Sequence, residues 1–282
     1  MSREFWRAFA SNYGAVIGLA LLIAVVMMAI FADVLYPQSP WSMTTAPFQP
    51  PLSDDALLGS DTLGRDIAAG VVHGSRVSLL IGIVSSLVAL FIGVTLGALA
   101  GYFGGWVDDA IMRFTELFQT IPNFVLAVVL VAIFTPSIAS LVAAIAIVSW
   151  PPLARLARGE FLSLRSREFV LAAVTTGQST TRIILREILP NSLSPIIVAA
   201  SLTVATAILL ESALSFLGLG DPNMMSWGYM IGASRTVIRQ AWWMSFFPGI
   251  AILITVLAIN LVGEGLNDAL NPKLARRGRA RR

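Results

Sequence analysis

Cysteine is absent from the 282-residue chain, and histidine and lysine each occur once, as His73 and Lys273. The lack of cysteine excludes disulfides, thiolate nucleophiles and iron–sulfur clusters. A histidine-based metal site or a Ser-His-Asp triad would depend on His73 alone, which disfavours most zinc and hydrolytic chemistries. Because Leu274 follows the single lysine, the chain has no G-x-x-x-x-G-K-[ST] phosphate-binding loop. If the protein uses ATP, another chain must hydrolyse it.

Charged residues are also scarce, at 12% of the chain, against about 25% in an ordinary soluble domain. Hydrophobic residues make up 56%, and the mean hydropathy is +0.80. Several stretches exceed the length of about 18 uncharged residues that predicts a membrane span. They are continuously apolar and do not alternate with a period of two, which predicts transmembrane helices and excludes a transmembrane β-barrel.

The uncharged runs predict an all-α, polytopic membrane protein with six transmembrane helices. The runs lie at 14–32, 78–100, 117–134, 138–154, 188–210 and 241–263. The chain then divides into an N-terminal segment at 1–13, a first span at 14–36, an outer loop at 37–77, a core of five spans at 78–268 with an inner loop at about 155–190, and a basic tail at 269–282. Loops as long as the outer and inner ones are usually functional.

The basic residues predict the orientation of the spans. Fifteen of the nineteen fall on the side that carries both termini and the inner loop, whereas Arg65, Arg76, Arg235 and Arg239 fall on the other side. By the positive-inside rule, both termini are cytoplasmic. The arginine-rich tail is expected to bind anionic lipid rather than nucleic acid. At the outer side, Trp242-Trp243 is expected to belong to an interfacial aromatic belt.

The inner loop contains a short helical pattern that ends near Gly177. Phe169, Ala172, Ala173 and Thr176 recur at helical spacing and predict a narrow face of small residues with one aromatic anchor. Such a face suits a helix that lies in the groove of a partner protein. It is also typical of an alanine-rich helix that packs on its own protein. The residues alone leave both interpretations open.

Motifs along nearly the whole chain resemble permease subunits of binding-protein-dependent ABC importers. Leu171-Ala172-Ala173-x-x-x-Gly177, followed by Leu189-Pro190, is similar to the E-A-A-x-x-x-G…I-x-L-P cytoplasmic loop of that family. Leu171 replaces the glutamate of the motif, and Glu187 replaces its isoleucine.

The outer loop narrows the resemblance to one branch of that family. Residues 58–66 are similar to the L-G-T-D-x-x-G-R-D signature of dipeptide, oligopeptide and nickel permeases, and Asp61, Gly64, Arg65 and Asp66 match its D, G, R and D positions. Further segments that resemble the same proteins are 73–79, 101–105, 214–220 and 260–264. The chain is most similar to the second, C-type permease of the pair.

This resemblance implies the type I ABC importer permease fold in a bacterial inner membrane. It implies a pathway shared with a second permease, two ATPase subunits that carry ATP and Mg, and an external binding protein that delivers a peptide or a related small solute. The chain itself is then expected to bind no cofactor or metal and to have no catalytic residue. The implied ATPase-coupling residues are Phe169, Leu171, Ala172, Ala173, Gly177, Leu189 and Pro190.

Two polar residues lie in or at the end of predicted spans. Glu211 either lines the pathway or is held by a hydrogen bond or ion pair within the protein. Asn260 is expected to form an interhelical hydrogen bond. The outer motif either contacts the binding protein or holds its own loop together.

A stand-alone membrane protein is the competing class. A secondary transporter predicts internal repeats and an intramembrane enzyme predicts paired catalytic groups in the spans, and the sequence contains neither pattern. The sequence therefore favours a transport subunit that works with other chains.

Overall fold

Helices make up nearly all of the regular structure in the computed structural model, which describes residues 3–270. In chain order they are α1 (Arg3–Ser11), α2 (Tyr13–Ile30), α3 (Ala32–Leu35), α4 (Ile67–Phe103), α5 (Gly105–Gln119), α6 (Asn123–Ile133), α7 (Ile138–Arg165), α8 (Glu168–Thr175), α9 (Thr180–Arg182), α10 (Leu189–Phe216), α11 (Trp227–Ser234) and α12 (Trp243–Leu270). A π-helical segment, Ile183–Ile188, connects α9 to α10. The predicted basic tail is 269–282, and from position 271 onward it lies outside the described residues.

Five helical segments are long and apolar enough to cross a membrane. They are α2, α4, α7, α12 and the continuous segment Thr180–Phe216, which contains α9, the π-helical segment and α10. Helices α5 and α6 together form a sixth candidate, although they are bent by 82° at the break between them. The predicted all-α, polytopic membrane fold is confirmed.

The outer loop is shorter than the predicted 37–77, because α4 already begins at Ile67. The Asp66 carboxylate caps this helix by accepting a hydrogen bond from the Ala68 backbone N–H at 2.8 Å. With 37 residues, α4 is about 55 Å long, well beyond the roughly 30 Å of hydrocarbon in a bilayer. We therefore place its first three turns, 67–77, outside the membrane. The polar residues in these turns led to the prediction of a loop, but they belong to the helix.

The third predicted span, 117–134, is also interrupted in the structure. Helix α5 ends at Gln119, and α6 begins only at Asn123. Pro122 precedes α6, and proline disfavours a helical conformation at the residue before it, so the chain turns at this point. The 11 residues of α6 extend over about 16 Å, which is too short to cross a bilayer alone.

The centre of the fold is a close pairing of α4 with α7. Three glycines of α4, spaced by four residues, lie on the contact face: Gly93, Gly97 and Gly101. A Cβ added to them would lie 2.7 Å from the Cβ atoms of Leu153, Ala157 and Phe161, respectively. Small residues at this spacing let two helix backbones approach closely, which is how membrane helices gain packing contacts.

The remaining spans pack around this pair. Helix α10 contacts α4, α7 and α12, and α2 lies against α12 on the far side. Gly18 of α2 faces Leu261 and Ala258 of α12, so these two helices are also closely packed. On the inner side, a buried apolar cluster joins α4, α7, α8 and the π-helical segment through Ala98, Phe161, Val170, Ala173, Ile183 and Ile188. We call it the inner cluster.

Candidate coupling helix, outer clamp and buried carboxylate

Helix α8 contains most of the predicted ATPase-coupling residues and ends in a Schellman motif. Gly177 adopts a left-handed conformation with φ of +74°, which glycine accommodates most readily. Its N–H donates to the Val174 carbonyl at 3.0 Å, and the Gln178 N–H donates to the Ala173 carbonyl at 3.1 Å. Gly177 thus fixes the length of α8 and the direction in which the chain leaves it.

Helix α8 has one buried side and one exposed apolar side. Val170 and Ala173 are buried in the inner cluster. Phe169, Leu171 and Val174 are exposed to 40%, 53% and 52% of their surface. The helix therefore packs on its own protein with one side, and its other side presents apolar side chains outward.

The predicted narrow face is not a single surface. Phe169, Ala172 and Thr176 are exposed, but Ala173 faces the inner cluster, where a larger side chain would meet apolar neighbours. Among the other predicted coupling residues, Leu189 packs partly buried against the same cluster, and Pro190 is exposed in the first turn of α10. The coupling role of these residues stays a prediction.

The outer motif folds back on itself. The Asp61 Oδ1 atom accepts hydrogen bonds from the Leu63 and Arg65 backbone N–H groups at 2.8 and 2.9 Å. The Arg65 guanidinium carbon lies 4.8 Å from the centre of the Trp41 ring. Gly64 has a φ of +81°. We call Trp41, Asp61, Gly64 and Arg65 the outer clamp, because these contacts hold the loop together. The Trp41 ring also lies 5.3 Å from the ring of Tyr229 in α11.

Ser60 connects the outer loop to α12 and to an earlier part of the same loop. Trp243 donates its indole N–H to the Ser60 carbonyl at 3.0 Å, and the buried Ser60 hydroxyl donates to the Ala46 carbonyl at 2.7 Å. Sequence analysis assigned Trp243 to the interfacial belt with Trp242, but only Trp242 is exposed. Ser60 gave no distinctive signal in the sequence, because a single serine does not by itself indicate burial or a hydrogen bond to a distant segment.

Asp66 completes the outer motif as the cap of α4. Burial raises the pKa of its carboxyl group, while hydrogen bonds from the Ala68 and Ala69 backbone N–H groups act in the opposite direction. With Tyr36 and Thr44 it also lines a cleft of about 320 Å³ on the outer side. All four residues of the outer motif thus have internal roles in the loop or at the helix start.

Arg76 connects α4 to the end of α2. Its guanidinium donates to both oxygens of Asp33 at 2.9 Å and to the Ala29 and Ile30 carbonyls at 2.5 and 3.0 Å. These carbonyls lack partners within α2 because they lie in its last turn. The hydrogen bond from Arg76 lowers the pKa of Asp33. The sequence indicates Arg76 as an outer basic residue and as part of the 73–79 family segment, but it does not predict this contact.

Glu211 of α10 is fully buried and receives hydrogen bonds from serine hydroxyls. Ser215 and Ser226 both donate to Oε1 at 2.8 Å. Ser78 lies 3.5 Å from Oε2 and accepts the Trp227 backbone N–H at 3.2 Å. The carboxylate thus joins α4, α10 and the start of α11, an arrangement that favours the structural interpretation of Glu211 over a pathway-lining one.

Asn260 of α12 is placed differently from the prediction. Its side chain is exposed, and within residues 3–270 no side-chain hydrogen bond involves its amide. The expected interhelical hydrogen bond is therefore missing from the described part of the chain. The physical reason is its position on the side of α12 opposite to the residues that pack on α2, which are Ala258, Leu261 and Val262.

Comparison with known proteins identifies the family. Residues 93–276 match the family "binding-protein-dependent transport system inner membrane component", and residues 1–51 match the "N-terminal TM domain of oligopeptide transport permease C". The chain is 41% identical over 279 residues to a di/tripeptide transport system permease protein DppC of Pseudomonas aeruginosa, covering 96% of this chain and 92% of that protein. It is 42% identical over 273 residues to a dipeptide transport system permease protein DppC of Alkalihalophilus pseudofirmus, covering 96% and 90%.

The fold has a counterpart among solved structures. An inward-facing structure of the MetNI methionine ABC transporter matches with a TM-score of 0.59 at 17% identity, covering 74% of this chain and 95% of the solved one. At this identity the match supports the type I ABC importer permease fold alone. The family matches alone exclude an intramembrane enzyme. The chain belongs to the multi-pass inner-membrane permeases of binding-protein-dependent ABC importers, in the dipeptide and oligopeptide branch, and is a transport subunit rather than an enzyme.

Proposed function

We propose that this permease imports dipeptides, oligopeptides or a related small solute, and that it forms the translocation pathway with a second permease. In this proposal an external binding protein delivers the solute, and two ATPase subunits bind ATP and Mg on the cytoplasmic side. The missing phosphate-binding loop supports the division of labour, because this chain lacks the usual residues for holding nucleotide phosphates. The peptide specificity of its relatives supports the substrate class.

The exposed apolar side of α8 is the observation that carries this proposal. Phe169, Leu171 and Val174 would lie in water on the cytoplasmic side, where an apolar patch is a signature of a protein contact. We infer that the ATPase subunit covers them. A short helix with apolar anchors and small neighbours suits a groove on such a partner.

The buried side of α8 supplies a mechanical connection to the spans. Val170 and Ala173 contact the same inner cluster as Phe161 of α7 and Ile188 at the start of α10. Because packed interiors transmit displacement rather than absorb it, movement of α8 would shift the inner ends of α7 and α10 together. ATP-driven closure of the ATPase pair would then change access to the pathway.

The experiment compares two leucines of the inner loop with the same exposure. Leu171 in α8 and Leu185 in the π-helical segment are each 53% exposed. If α8 contacts the ATPase subunit, Leu171→Ser should lower peptide uptake and substrate-stimulated ATPase activity about tenfold, as expected for an interface anchor. Leu185→Ser should stay close to wild type. Equal effects of the two substitutions, or no effect of Leu171→Ser, would contradict the coupling role of α8.

The substrate class needs a separate measurement. We expect vesicles that contain the complete transporter and its binding protein to take up labelled dipeptides and tripeptides in an ATP-dependent manner. Uptake of a nickel chelate but not of peptides would contradict the peptide assignment and leave the coupling proposal intact.

A further inference from the structure

Helix α12 has two packed sides and one open side. Gly18 of α2 faces Ala258 and Leu261, and Ser201 of α10 faces Gly263. The open side carries Leu253, Leu257, Asn260 and Glu264, which follow one another at spacings of three or four residues and are all exposed. Residues with this spacing lie on one face of a helix.

The open side changes from apolar to polar toward the cytoplasmic end. Trp243, at the other end of α12, contacts the outer loop. At 1.5 Å per residue, Asn260 lies about 26 Å and Glu264 about 32 Å along the helix from Trp243, against a hydrocarbon thickness of about 30 Å. Asn260 is therefore at the inner part of the hydrocarbon layer, and Glu264 is near its inner boundary.

Neither polar side chain has a structural reason in the described chain for its position. No side-chain hydrogen bond or salt bridge within residues 3–270 involves Asn260 or Glu264. An amide that faces lipid in the inner part of the hydrocarbon layer is costly, and a carboxylate at the boundary of that layer requires water or a polar partner beside it. Such residues in membrane proteins usually face a protein neighbour or a water-filled cavity.

The position of Glu264 is also unfavourable for α12 itself. It lies in the last two turns, near the negative end of the helix dipole, and Asp268 follows it by four residues. Asp268 has a structural partner, since it accepts a hydrogen bond from the Asn12 amide at 3.0 Å. The negative charge of Glu264 beside Asp268 weakens the helix. The benefit of Glu264 must therefore come from something other than the contact between Asp268 and Asn12.

We propose that the face of α12 formed by Asn260 and Glu264 lines the water-filled inner part of the transport pathway, where Glu264 attracts solutes that carry an ammonium group. The inference rests on the proposed import function. It assigns polar residues to the pathway on the cytoplasmic side, and it gives Glu264 an electrostatic role in the passage of peptides.

The natural absence of cysteine makes this face directly testable. Asn260→Cys is assembled into the complete transporter in inside-out vesicles and treated with a membrane-impermeant maleimide. The controls are Ile23→Cys, at an apolar position of α2 that is 53% exposed, and Ala258→Cys, at a buried position of α12. Because thiol reactivity requires the thiolate and therefore water, we expect labelling at position 260 at least about tenfold faster than at either control.

Labelling of Asn260→Cys as slow as that of Ile23→Cys would overturn the proposal. Glu264→Cys provides a second position on the same face if the first variant does not insert, and it should label equally fast. The labelling is repeated in the presence of dipeptides and tripeptides. Labelling at position 260 that is fast but is not slowed by the added peptides would support the water-filled face and count against the proposed peptide substrate. The two proposals can therefore fail separately.

The charge effect is measured by transport kinetics. Glu264→Gln should raise the KM for a lysine-containing dipeptide, which carries a net positive charge, about fivefold. It should lower the KM for an acidic dipeptide, because the removed negative charge attracts net cations and repels net anions. Glu264→Asp should restore the wild-type ratio of the two KM values. A uniform change in both KM values, unaffected by the aspartate variant, would exclude the electrostatic role.

Discussion

At the residue scale, Glu211 lies in a span and has no charged partner within residues 3–270. Hydroxyl groups from α4, α10 and the start of α11 surround its two oxygens. Each hydroxyl can donate to the carboxylate while its own oxygen accepts a backbone N–H, as Ser78 does from Trp227 and Ser226 from Tyr229. The carboxylate is therefore the common acceptor that connects three elements.

Glu211→Gln tests this role. The amide keeps one oxygen but places an N–H₂ group where hydroxyls donate, so we expect a loss of about 1 to 3 kcal/mol in the free energy of unfolding. Glu116→Gln, at an exposed position of α5, should have little effect. The measurement is unfolding of the purified protein in detergent. If Glu211→Gln were as stable as wild type yet inactive in transport, Glu211 would belong to the pathway instead.

The contact between Asp33 and Arg76 predicts a dependence on pH. The hydrogen bond from Arg76 lowers the pKa of Asp33 below its ordinary value of 3.8. The contact therefore contributes fully above that value and is lost as the pH falls through the lowered pKa of the folded protein. We expect Asp33→Asn to reduce the thermal midpoint at pH 6 and to have a smaller effect near pH 3. A constant difference between the two proteins across this range would contradict the contact's contribution.

At the element scale, the α4 and α7 pair depends on glycine at three consecutive helix turns. A side chain at Gly97 would collide with the Ala154 carbonyl and the Ala157 Cβ, both in the facing helix. Because backbone atoms cannot rotate away, the two helices would have to separate. Gly159 of α7 has no neighbour within 4 Å of an added Cβ and provides a matched control.

We therefore expect opposite results at these two glycines. Gly97→Val should strongly reduce the yield of folded protein and lower its thermal midpoint. Gly159→Ala should be neutral or raise stability by up to about 1 kcal/mol, since alanine favours the helix. Size-exclusion profiles and thermal unfolding in detergent distinguish the outcomes. A well-folded Gly97→Val protein would mean that α4 and α7 are not closely packed.

The limits of the sequence are clearest at helix boundaries and helix faces. Uncharged length predicts where lipid surrounds a helix, but it does not detect helix that continues into water, as at Ile67. At Pro122 the sequence predicts a helix start or a kink, and α6 does begin after it, although the continuous apolar run predicts a single span across this position. At Ala173, helical spacing identified the helix correctly, while its orientation depends on the inner cluster, whose members come from distant segments.

At the scale of the whole molecule, the outer and inner sides are built differently. The outer loop is attached to the spans by the hydrogen bond from Trp243 to Ser60 and by apolar packing of Trp41, Phe48 and Leu58 on α4, α11 and α12. The inner loop is attached mainly by the apolar inner cluster, and it leaves apolar residues of α8 exposed. The exposed apolar residues of the inner side are the ones that the proposed coupling role of α8 assigns to contact with an ATPase subunit.

The assignment of sides rests on the distribution of basic residues and can be tested directly. Ser39, in the outer loop, and Ser163, near the inner end of α7, are both exposed. In cells with an intact cytoplasmic membrane, we expect a membrane-impermeant maleimide to label Ser39→Cys and to leave Ser163→Cys unlabelled, because the inner loop carries the excess of arginines. Inside-out vesicles should give the reverse result, and the cysteine-free parent chain should give none. The opposite pattern would place the termini outside, and α8 could then not meet a cytoplasmic ATPase.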